Sequence, residues 1–441
     1  MNLIRSHSGF RGIYGEQLTP KIAYIIANAY AKAIQPRIVL IGRDTRLSGS
    51  ALKNAAIAGL TSAGVDVIDV DVAPTPAILF GVRLLNCDGG IIISASHNPP
   101  EWNAIKLAGR EGLLLTSSQV DKIISELDKE EISPRQGTVR KLDITEKYIE
   151  ELIKHVDKEA IGKAQLKVVV DPGGGAASHT TPKLLAKLGC KVITINSTPG
   201  LFTRKIEPTQ DSLKDLQITV KAVGADAGFA HDCDADRIAC VDEKGNAVRE
   251  DYGVAVAVNH ELAVEGHKKL VVNIASSKVF EDIAEMHGAE IYWSKVGEAN
   301  VVRKMIEVDS EIGAEGSSGG LIIKKFHLAR DGALAAIKIL EAMAKSGEKL
   351  SKLIGKLPTY YLSKASLPCP PERIAEKIEK IAKRWSRIAR IDLTDGIKII
   401  GESWWILVRP SKTEPVIRIM TEAKSKEKAS KLLKEVVNMV K

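Results

Sequence analysis

Short apolar runs recur along this chain, and most of them lead into a polar or glycine-rich loop that is followed by a helical pattern. Residues 37–41 lead into a Gly-Arg-Asp turn, residues 167–170 into an Asp-Pro-Gly-Gly-Gly turn, and residues 270–274 into a pair of serines. Strands that alternate with helices in this way form parallel or mixed sheets covered by helices. A chain of 441 residues is long enough for about two to four such domains, since one domain usually holds about 100–200 residues.

The pattern divides the chain into three strand-and-helix units and a different C-terminal segment. Pro134 and Gly137 lie in a polar stretch that separates the first unit from the second. The last segment begins near Pro368 and reads as helix, strands and helix, which is typical of an α+β domain. We therefore predict an α/β fold of three related α/β domains with mixed sheets plus a C-terminal α+β domain. The expected domains are residues 1–137, 138–249, 250–364 and 365–441.

Composition excludes several classes of protein. Hydrophobic residues make up 44% and charged residues 27% of the chain, which is the balance of a folded, soluble protein. The net charge of +8 comes with Lys and Glu interleaved on the same helical stretches, so we expect ion-paired surfaces and no nucleic-acid partner. No apolar run is long enough for a membrane span or a signal peptide. The five cysteines contain no C-x-x-C pair, which is typical of a cytoplasmic protein.

The segment Asp232-Cys233-Asp234-Ala235-Asp236-Arg237 places three carboxylates at alternate positions, directly after an apolar run. Carboxylate oxygens are hard ligands of the kind that Mg²⁺ prefers, and a surface turn seldom crowds three like charges without a cation. An EF-hand loop also begins D-x-D-x-D, but it requires Gly at its sixth position, where this chain has Arg237. It also requires a helix before the loop, where the apolar run of this chain predicts a strand. We therefore predict a magnesium site rather than a calcium sensor.

The segment Ser94-Ala95-Ser96-His97-Asn98-Pro99-Pro100 follows a predicted buried strand, and its tight turn is expected to expose the hydroxyl of Ser96. This serine can be a nucleophile or a phosphoryl carrier, or the segment can be an ordinary turn rich in Ser, Asn and Pro. The motif G-x-S-x-G is absent, so an α/β-hydrolase is not supported.

Two further loops are candidates for binding a sugar phosphate. Residues 313–320 surround Glu315 and two serines with glycines, so they can hydrogen-bond sugar hydroxyls or serve as a flexible linker. Residues 409–415 collect Arg, Ser, Lys and Thr in one turn, with Arg418 on the next strand; they can cradle a phosphate or form a basic hairpin. Dinucleotide binding is weakly indicated, because the turn at residues 171–178 lacks the third glycine of that fingerprint, and no Walker loop occurs.

Together these loops resemble those of the α-D-phosphohexomutase family, and they occur in the family order along the whole chain. The matching segments are the N-terminal loop 8–12, the first strand-end motif 42–46, the phosphoserine loop 94–99 with Asn103 and Lys106 after it, the metal loop 232–237, the sugar loop 315–319 and the phosphate loop 409–415. One such motif would be weak evidence, whereas six in order are specific.

The resemblance implies an isomerase that interconverts hexose 1-phosphate and hexose 6-phosphate, with its four domains around a central cleft. Ser96 would be carried as phosphoserine and give its phosphoryl group to the substrate. This step makes a hexose 1,6-bisphosphate, the intermediate and activator, which turns over and returns its other phosphate to Ser96. One Mg²⁺ per chain would be held by Asp232, Asp234, Asp236 and a phosphoryl oxygen on Ser96.

The resemblance also assigns roles to further side chains. The predicted catalytic residues are Ser96, Arg11, His97, Lys106 and Arg237, and the predicted substrate-binding residues are Glu315, Ser317, Arg409, Ser411, Lys412, Thr413 and Arg418. Lys106 and Arg11 are candidates for moving the proton of the sugar hydroxyl or for electrostatic stabilisation alone. A lysine acts as a base near neutral pH only if its pKa is lowered. Phosphoryl transfer depends mainly on positioning and charge neutralisation, which suits a ring of cations around a metal ion.

A few positions depart from the family pattern. Cys233 stands where the metal loop usually has Gly, Lys412 replaces a small or amide residue, and His7 replaces Thr. The sugar loop has an extra Ser and ends in Gly-Gly, with no histidine there, and the loop 296–300 also lacks the histidine of some members.

We expect a phosphomannomutase/phosphoglucomutase. Phosphoglucosamine mutase, by the same mechanism, is the alternative, and a non-catalytic sugar-phosphate-binding protein is the alternative from another class. The expected partners are hexose phosphates, without nucleic acid or membrane, and the protein is expected to be a cytoplasmic monomer or homodimer.

Overall fold

The computed structural model describes residues 4–6, 9–410 and 416–440. Four β-sheets follow one another along the chain, and helices pack on them. The strands are, in the first sheet, β1 (Ile4–Ser6), β2 (Gly9–Ile13), β3 (Ile38–Arg43), β4 (Asp66–Val72), β5 (Gly89–Ile93), β6 (Trp102–Gly109) and β7 (Val139–Lys141); in the second, β8 (Lys167–Asp171), β9 (Lys191–Thr194), β10 (Ala227–Ala230) and β11 (Ala239–Asp242); in the third, β12 (Lys269–Asn273), β13 (Glu290–Ser294), β14 (Ile312–Glu315) and β15 (Gly320–Ile323); and in the fourth, β16 (Tyr361–Pro368), β17 (Arg390–Asp392), β18 (Ile397–Ile400), β19 (Trp404–Pro410) and β20 (Val416–Ala423).

The helices lie between these strands. They are α1 (Pro20–Ile34), α2 (Gly49–Ser62), α3 (Thr75–Leu84), α4 (Ser117–Ile124), α5 (Thr145–Ile153), α6 (Lys158–Ala164), α7 (Thr181–Lys187), α8 (Lys214–Val223), α9 (Glu250–Glu265), α10 (Val279–Met286), α11 (Glu298–Val308), α12 (Gly332–Ser346), α13 (Leu350–Gly355), α14 (Pro371–Trp385) and α15 (Lys426–Val440), with short 3₁₀ helices at Ala176–His179, Gln210–Ser212 and Gly316–Ser318. In the described part of the chain, no helix combines the length and the apolar character that crossing a membrane would require.

The first three sheets share one four-strand core. Its strand orders are β4-β3-β5-β6, β9-β8-β10-β11 and β13-β12-β14-β15. In each core the first three strands are parallel and the last is antiparallel. The first sheet is widened by β7 at one edge and by β2 and β1 at the other. The fourth sheet is fully antiparallel, so the predicted fold class is confirmed.

A repeat that the sequence did not reveal appears at the end of β3, β8 and β12, which are the first core strands of the three units in chain order. Asp44, Asp171 and Asn273 each accept a hydrogen bond through Oδ1 from the backbone N–H two residues later, at 2.9, 2.8 and 3.0 Å. These Asx turns set the direction of the chain as it leaves the strand. Asp and Asn can both accept this hydrogen bond, and the residues around them differ between the units. The repeat therefore cannot be recognised from sequence identity.

The shared topology also places one equivalent turn in each unit, between the third core strand and the antiparallel fourth. We call residues 94–101, 231–238 and 316–319 the cleft turns. Each contains a residue with positive φ: Ser96 at 52°, Ala235 at 57° and Gly319 at 70°. The turns that carry the predicted phosphoserine, metal and sugar loops are therefore the same structural element in three copies.

Packing joins the first three units more extensively than it joins the fourth. One continuous apolar cluster contains Leu40, Val170 and Val272, which lie on the first core strand of the three units. The fourth unit has its own cluster. It docks on the third through a small apolar seam, where Trp405 packs near Ile274.

Several local features differ from the pattern expected from sequence. Helix α4 ends at Ile124, and two hydrogen bonds between Asn28 and the backbone of Glu131 tie the chain that follows it to α1. The expected division at 364/365 falls inside β16, all eight residues of which pair with β20. β7 lies after the expected division at 137/138 but pairs with β4 of the first sheet.

A candidate active site at the cleft turns

A cavity of about 390 Å³ opens beside the first two cleft turns, facing the segment at the start of α11. Its lining includes Arg11, Ser96, His97, Lys106, Asp236, Arg237, Glu298 and Arg330. All five predicted catalytic residues are therefore at one place, although 226 residues separate Arg11 from Arg237 in the sequence.

Ser96 lies on a strained turn that a buried arginine clamps. Its left-handed backbone is uncommon for a residue with a side chain and needs surrounding contacts to persist. Arg46 supplies them by donating to the carbonyl oxygens of Ser96 and Asn98 at 2.8 and 2.7 Å. The sequence analysis expected the turn to expose the hydroxyl of Ser96. Ser96 is only 4% exposed, so its hydroxyl faces the cavity and not the protein surface. Ser96 Oγ donates to Asp232 Oδ2 at 2.6 Å.

The three aspartates of the metal loop are oriented in the same way, each through its Oδ2 atom. Asp232 Oδ2 accepts from Ser96. Asp234 Oδ2 accepts from Lys106 Nζ and Thr75 Oγ1, both at 2.6 Å. Asp236 Oδ2 accepts from Arg330 Nη2 at 2.5 Å. Each carboxylate is thereby fixed on one side.

The other oxygen of each aspartate has no such partner. Within the described residues, no hydrogen-bond donor reaches the buried Oδ1 atom of Asp232, Asp234 or Asp236. One oxygen from each of the three carboxylates lies within 4.8 Å of the others. Buried polar atoms are normally hydrogen-bonded, so three neighbouring carboxylates that each keep an unpartnered oxygen fit a bound cation. Oxygen-only donors of this kind suit a hard divalent ion.

Burial and neighbouring charges shift the pKa values of this cluster in opposite directions. Burial, reinforced by Asp236 and Asp234, raises the pKa of Asp232 well above its ordinary value. Burial acts in the same direction on Asp234, but the ammonium of Lys106 outweighs it and lowers the pKa of Asp234. Three cations lie within 4 Å of the triad, namely those of Lys106, Arg237 and Arg330. The raised pKa of Asp232 therefore reflects burial and the close packing of three carboxylates.

The cationic and imidazole groups around Ser96 have shifted pKa values as well. Burial would lower the pKa of Lys106, but Asp234 and Asp236 raise it overall, so this side chain is an ammonium. The charge of Arg237, followed by burial, lowers the pKa of His97 well below its usual value. The neutral His97 Nδ1 lies 3.4 Å from Ser96 Oγ. Arg11 donates to Asn98 Oδ1 at 2.8 Å.

The sugar loop differs from the metal loop because its carboxylate is fully bound. Glu315 Oε1 accepts from Asn273 Nδ2 and Gly297 N, and Oε2 accepts from Arg330 Nη1 at 2.7 Å. Burial would raise the pKa of Glu315, but Arg330 lowers it overall. Ser317 is half-buried in the short 3₁₀ helix of the same turn.

The predicted phosphate loop lies only partly within the described residues. Ser411, Lys412 and Thr413 are outside them, whereas Arg409 and Arg418 face each other on β19 and β20. Arg409 Nη2 is 3.1 Å from Asp395 Oδ2, which also accepts from Val296 N at 3.2 Å. Asp395 thus links this strand pair to the segment that begins α11 and lines the cavity.

Sequence reasoning missed two residues of the site and left a third without a role. Thr75 holds Asp234, Arg330 binds three carboxylates, and Glu298 lines the cavity. Burial raises the pKa of Glu298 to about 7. A signal for Arg330 was present, because Arg330-Asp331 is a charged pair inside an otherwise apolar and small-residue stretch. Cys233, the departure in the metal loop, packs in the interior with its Sγ 3.6 Å from Thr45 Oγ1.

Comparison with known proteins gives four family matches in order along the chain. They are phosphoglucomutase/phosphomannomutase alpha/beta/alpha domain I at residues 3–133, domain II at 146–245, domain III at 249–361, and the C-terminal domain at 367–439. Each description fits the sheet found in that part of the chain.

Individual relatives agree with these matches. A phosphoglucomutase/phosphomannomutase of Thermococcus kodakarensis is 44% identical over 96% of this chain and 95% of its own. A probable phosphoglucosamine mutase of Pyrococcus horikoshii is 36% identical over 98% and 97%. The crystal structure of a phosphoglucomutase/phosphomannomutase family protein from Burkholderia thailandensis superposes with a TM-score of 0.89 at 25% identity, covering 99% of this chain and 96% of that one.

Proposed function

The chain belongs to the phosphoglucomutase/phosphomannomutase family of α-D-phosphohexomutases, and we propose that Ser96 is the residue through which it moves a phosphoryl group. The protein is an isomerase that interconverts hexose 1-phosphate and hexose 6-phosphate. The observation that supports Ser96 is its contact with Asp232. A strained serine on the first cleft turn meets the carboxylate cluster of the second, at the edge of a cavity.

The proposed reaction begins from Ser96 as phosphoserine. A hydroxyl of the bound hexose phosphate attacks the phosphorus, so that one sugar O–P bond forms, the Ser96 Oγ–P bond breaks, and the hydroxyl proton leaves. The product is the hexose 1,6-bisphosphate. After it turns over, Ser96 Oγ attacks the other phosphate: an Oγ–P bond forms as the serine proton leaves, the sugar O–P bond at that position breaks, and the sugar oxygen takes up a proton. The isomeric monophosphate is released and phosphoserine is restored. His97 is neutral and within reach of Ser96 Oγ, so it can exchange the proton at that atom.

The residues of the second cleft turn would hold Mg²⁺. Asp232, Asp234 and Asp236 each have one oxygen fixed by the protein and one oxygen that no donor in the described part of the chain reaches. When bound, the ion neutralises charge on the transferring phosphoryl group. Lys106 has a raised pKa, so we assign it electrostatic stabilisation of that group and not the role of general base.

The remaining loops would hold the sugar and its non-reacting phosphate. Glu315, directly before the third cleft turn, and Ser317 on that turn would supply the groups for sugar hydroxyls. Arg409 and Arg418, with Ser411, Lys412 and Thr413 between them, would grip the phosphate that is not being transferred. Because the substrate turns over between the two steps, this cradle must accept either phosphate.

Labelling of the enzyme tests this function directly. We expect one phosphoryl group per chain after incubation with ³²P-labelled glucose 1,6-bisphosphate. Ser96→Ala removes the acceptor oxygen, so it should take up no label and lose at least about 10³-fold in turnover, the scale of losing a nucleophile. Ser94→Ala is the matched control: it removes the other hydroxyl of the same turn, which accepts from Ser96 N at 3.0 Å, but leaves the acceptor oxygen in place, so it should still take up label. Label on Ser96→Ala, or an undiminished rate, would contradict the assignment.

The preferred sugar requires a separate comparison. We propose glucose and mannose phosphates, as in the name of the 44% identical relative. Glucosamine phosphate is the second candidate, because another relative has that name and because the carboxylate of Glu298 in the cavity suits an ammonium group. Similar kcat/KM for glucose and mannose 1-phosphates with little glucosamine turnover would support the first assignment. Dominant glucosamine turnover would support the second.

A further inference from the structure

Arg330 occupies the point where three functional segments come together. It directly precedes Asp331, the residue that caps the first turn of α12. Its Nη2 binds Asp236 of the metal loop at 2.5 Å, and its Nη1 binds Glu315 of the sugar loop at 2.7 Å. Its Nε binds Glu298 at the start of α11 at 3.2 Å. All three nitrogens of one guanidinium therefore have a carboxylate partner, each from a different segment.

The sugar loop makes room for this side chain. A Cβ on Gly320 would lie 2.3 Å from Arg330 Cδ and 2.9 Å from Cγ. No side chain fits at position 320 while the arginine stem passes there. The Gly-Gly ending of the sugar loop, one of the departures from the family pattern, is thus a structural counterpart of Arg330. Ser318 Oγ, 3.0 Å from Nη1, adds a second contact from the same loop.

The guanidinium is a rigid planar fork, so its bonds are not independent. Glu315 is held separately by Asn273 and by the backbone of Gly297, and it fixes one edge of the guanidinium. The opposite nitrogen then fixes Asp236 Oδ2, which determines where the unpartnered Asp236 Oδ1 lies. A change at the sugar loop is therefore transmitted to a metal-loop oxygen through one side chain.

We propose that Arg330 is a positioning residue that couples the sugar loop to the metal loop, so that occupation of one changes the affinity of the other. The inference rests on the proposed function, because it takes the triad as the metal site and Glu315 as a sugar ligand. Coupling of this kind is reciprocal: a sugar that draws Glu315 or Ser318 away from Arg330 alters ion binding, and the ion alters sugar binding by the same factor.

The test is a double-mutant cycle read out by binding and without turnover. Calorimetry would measure the Mg²⁺ dissociation constant in the Ser96→Ala background, where the phosphorylation state is constant. Glu315→Gln alters the sugar-loop partner of Arg330 without touching the triad. We expect it to weaken Mg²⁺ binding about 10-fold, the lower end for outer partners of a metal ligand. Ser318→Ala, which changes no charge, should weaken it in the same direction by a smaller factor.

The same two substitutions are then repeated with Arg330→Lys, which keeps the charge but cannot bridge three partners. We expect both effects to shrink to less than about 2-fold, because the link is lost while the general electrostatics remain. Arg330→Met serves as a second background should the lysine variant fold poorly. Equal effects of Glu315→Gln with and without Arg330 would overturn the proposal. A phosphoserine mechanism that fails leaves this result unaffected, since no phosphoryl transfer is measured.

Discussion

The second and third cleft turns occupy the same position in their units, yet their charges are handled in opposite ways. Three aspartates in the second turn each keep one buried oxygen that no donor among the described residues reaches. Glu315, which directly precedes the third turn, has both oxygens bound. One turn geometry therefore serves two purposes. At the second turn each carboxylate has, in the described part of the chain, a donor on one oxygen only, which fits a bound cation, whereas at the third turn both carboxylate oxygens have donors, which holds Glu315 rigidly.

The two turns are also in direct backbone contact. Ile238 N donates to the carbonyl oxygen of Gly319 at 2.9 Å. A Cβ on Gly319 would lie 2.1 Å from Ile238 O, and its φ of 70° is left-handed. Glycine is required at this position for both reasons. The difference between the turns thus resides in their side chains, while the backbones pack as one assembly.

The largest difference should appear in catalysis. Asp234→Ala removes a carboxylate from the triad, so we expect Mg²⁺ binding to be lost and turnover to fall by about 10³-fold or more, comparable to losing a key electrostatic group. Glu315→Gln should retain Mg²⁺-dependent turnover, with a raised KM for the sugar phosphate. Initial rates at varied Mg²⁺ and substrate measure both. A fully active Asp234→Ala enzyme would refute the metal assignment.

In the absence of metal, substitutions at Asp232 and Glu315 should change the melting temperature in opposite directions. The raised pKa of Asp232 means that at pH 8 its ionised form costs folding free energy. Asp232→Asn should therefore raise the melting temperature of the metal-free protein. Glu315→Gln should lower it, because it weakens three hydrogen bonds of a satisfied buried group, each worth about 1 kcal/mol. Calorimetric scans with EDTA measure this, and shifts of the same sign would remove the distinction.

Added Mg²⁺ provides the control for these scans. Binding to the folded state stabilises wild-type protein by about 2.7 kcal/mol at 100 times the dissociation constant. Asp232→Asn should lose most of this stabilisation by Mg²⁺. Glu315→Gln should keep part of it, and the stabilisation of that variant should increase with the Mg²⁺ concentration.

The last effect is confined to the pH dependence of stability and concerns Glu298, which lines the cavity and pairs with Arg330. Burial raises the pKa of Glu298 to about 7, so between about pH 4.5 and 7 the folded state holds a proton that the unfolded chain has released. The contribution of this group to stability therefore falls as pH rises through that window, by up to about 3 kcal/mol. Glu298→Gln should flatten this fall. Unfolding free energies of both proteins at pH 5 and pH 7.5 provide the comparison, and identical pH dependences would contradict it.

The sequence was most informative where chemistry and spacing coincide. The D-x-D-x-D pattern predicted a metal loop because three adjacent like charges need a cation, and the structure brings Asp232, Asp234 and Asp236 together. The strand-loop-helix alternation predicted the fold class. The family resemblance pointed to Ser96, but its contact with Asp232 spans 136 residues and depends on how two units dock.

What escaped prediction depends on tertiary contacts. Arg330 binds partners 94, 32 and 15 residues away, and no local pattern encodes such a meeting point. The raised pKa of Lys106 follows from two aspartates of another unit. β16 was missed because its residues are exposed or half-buried throughout, so apolar alternation is weak. The equivalence of Asp44, Asp171 and Asn273 can be recognised only when the strand orders of the three units are compared.

The distribution of one turn per unit has a consequence for protein synthesis. A chain made from its N-terminus produces Ser96 well before Asp232, and Asp232 before Glu315 and Arg409. Domains fold in that order as they emerge. The hydrogen bond between Ser96 and Asp232 therefore forms only after the second unit has been made, and the contact of Arg330 with Asp236 only after the third.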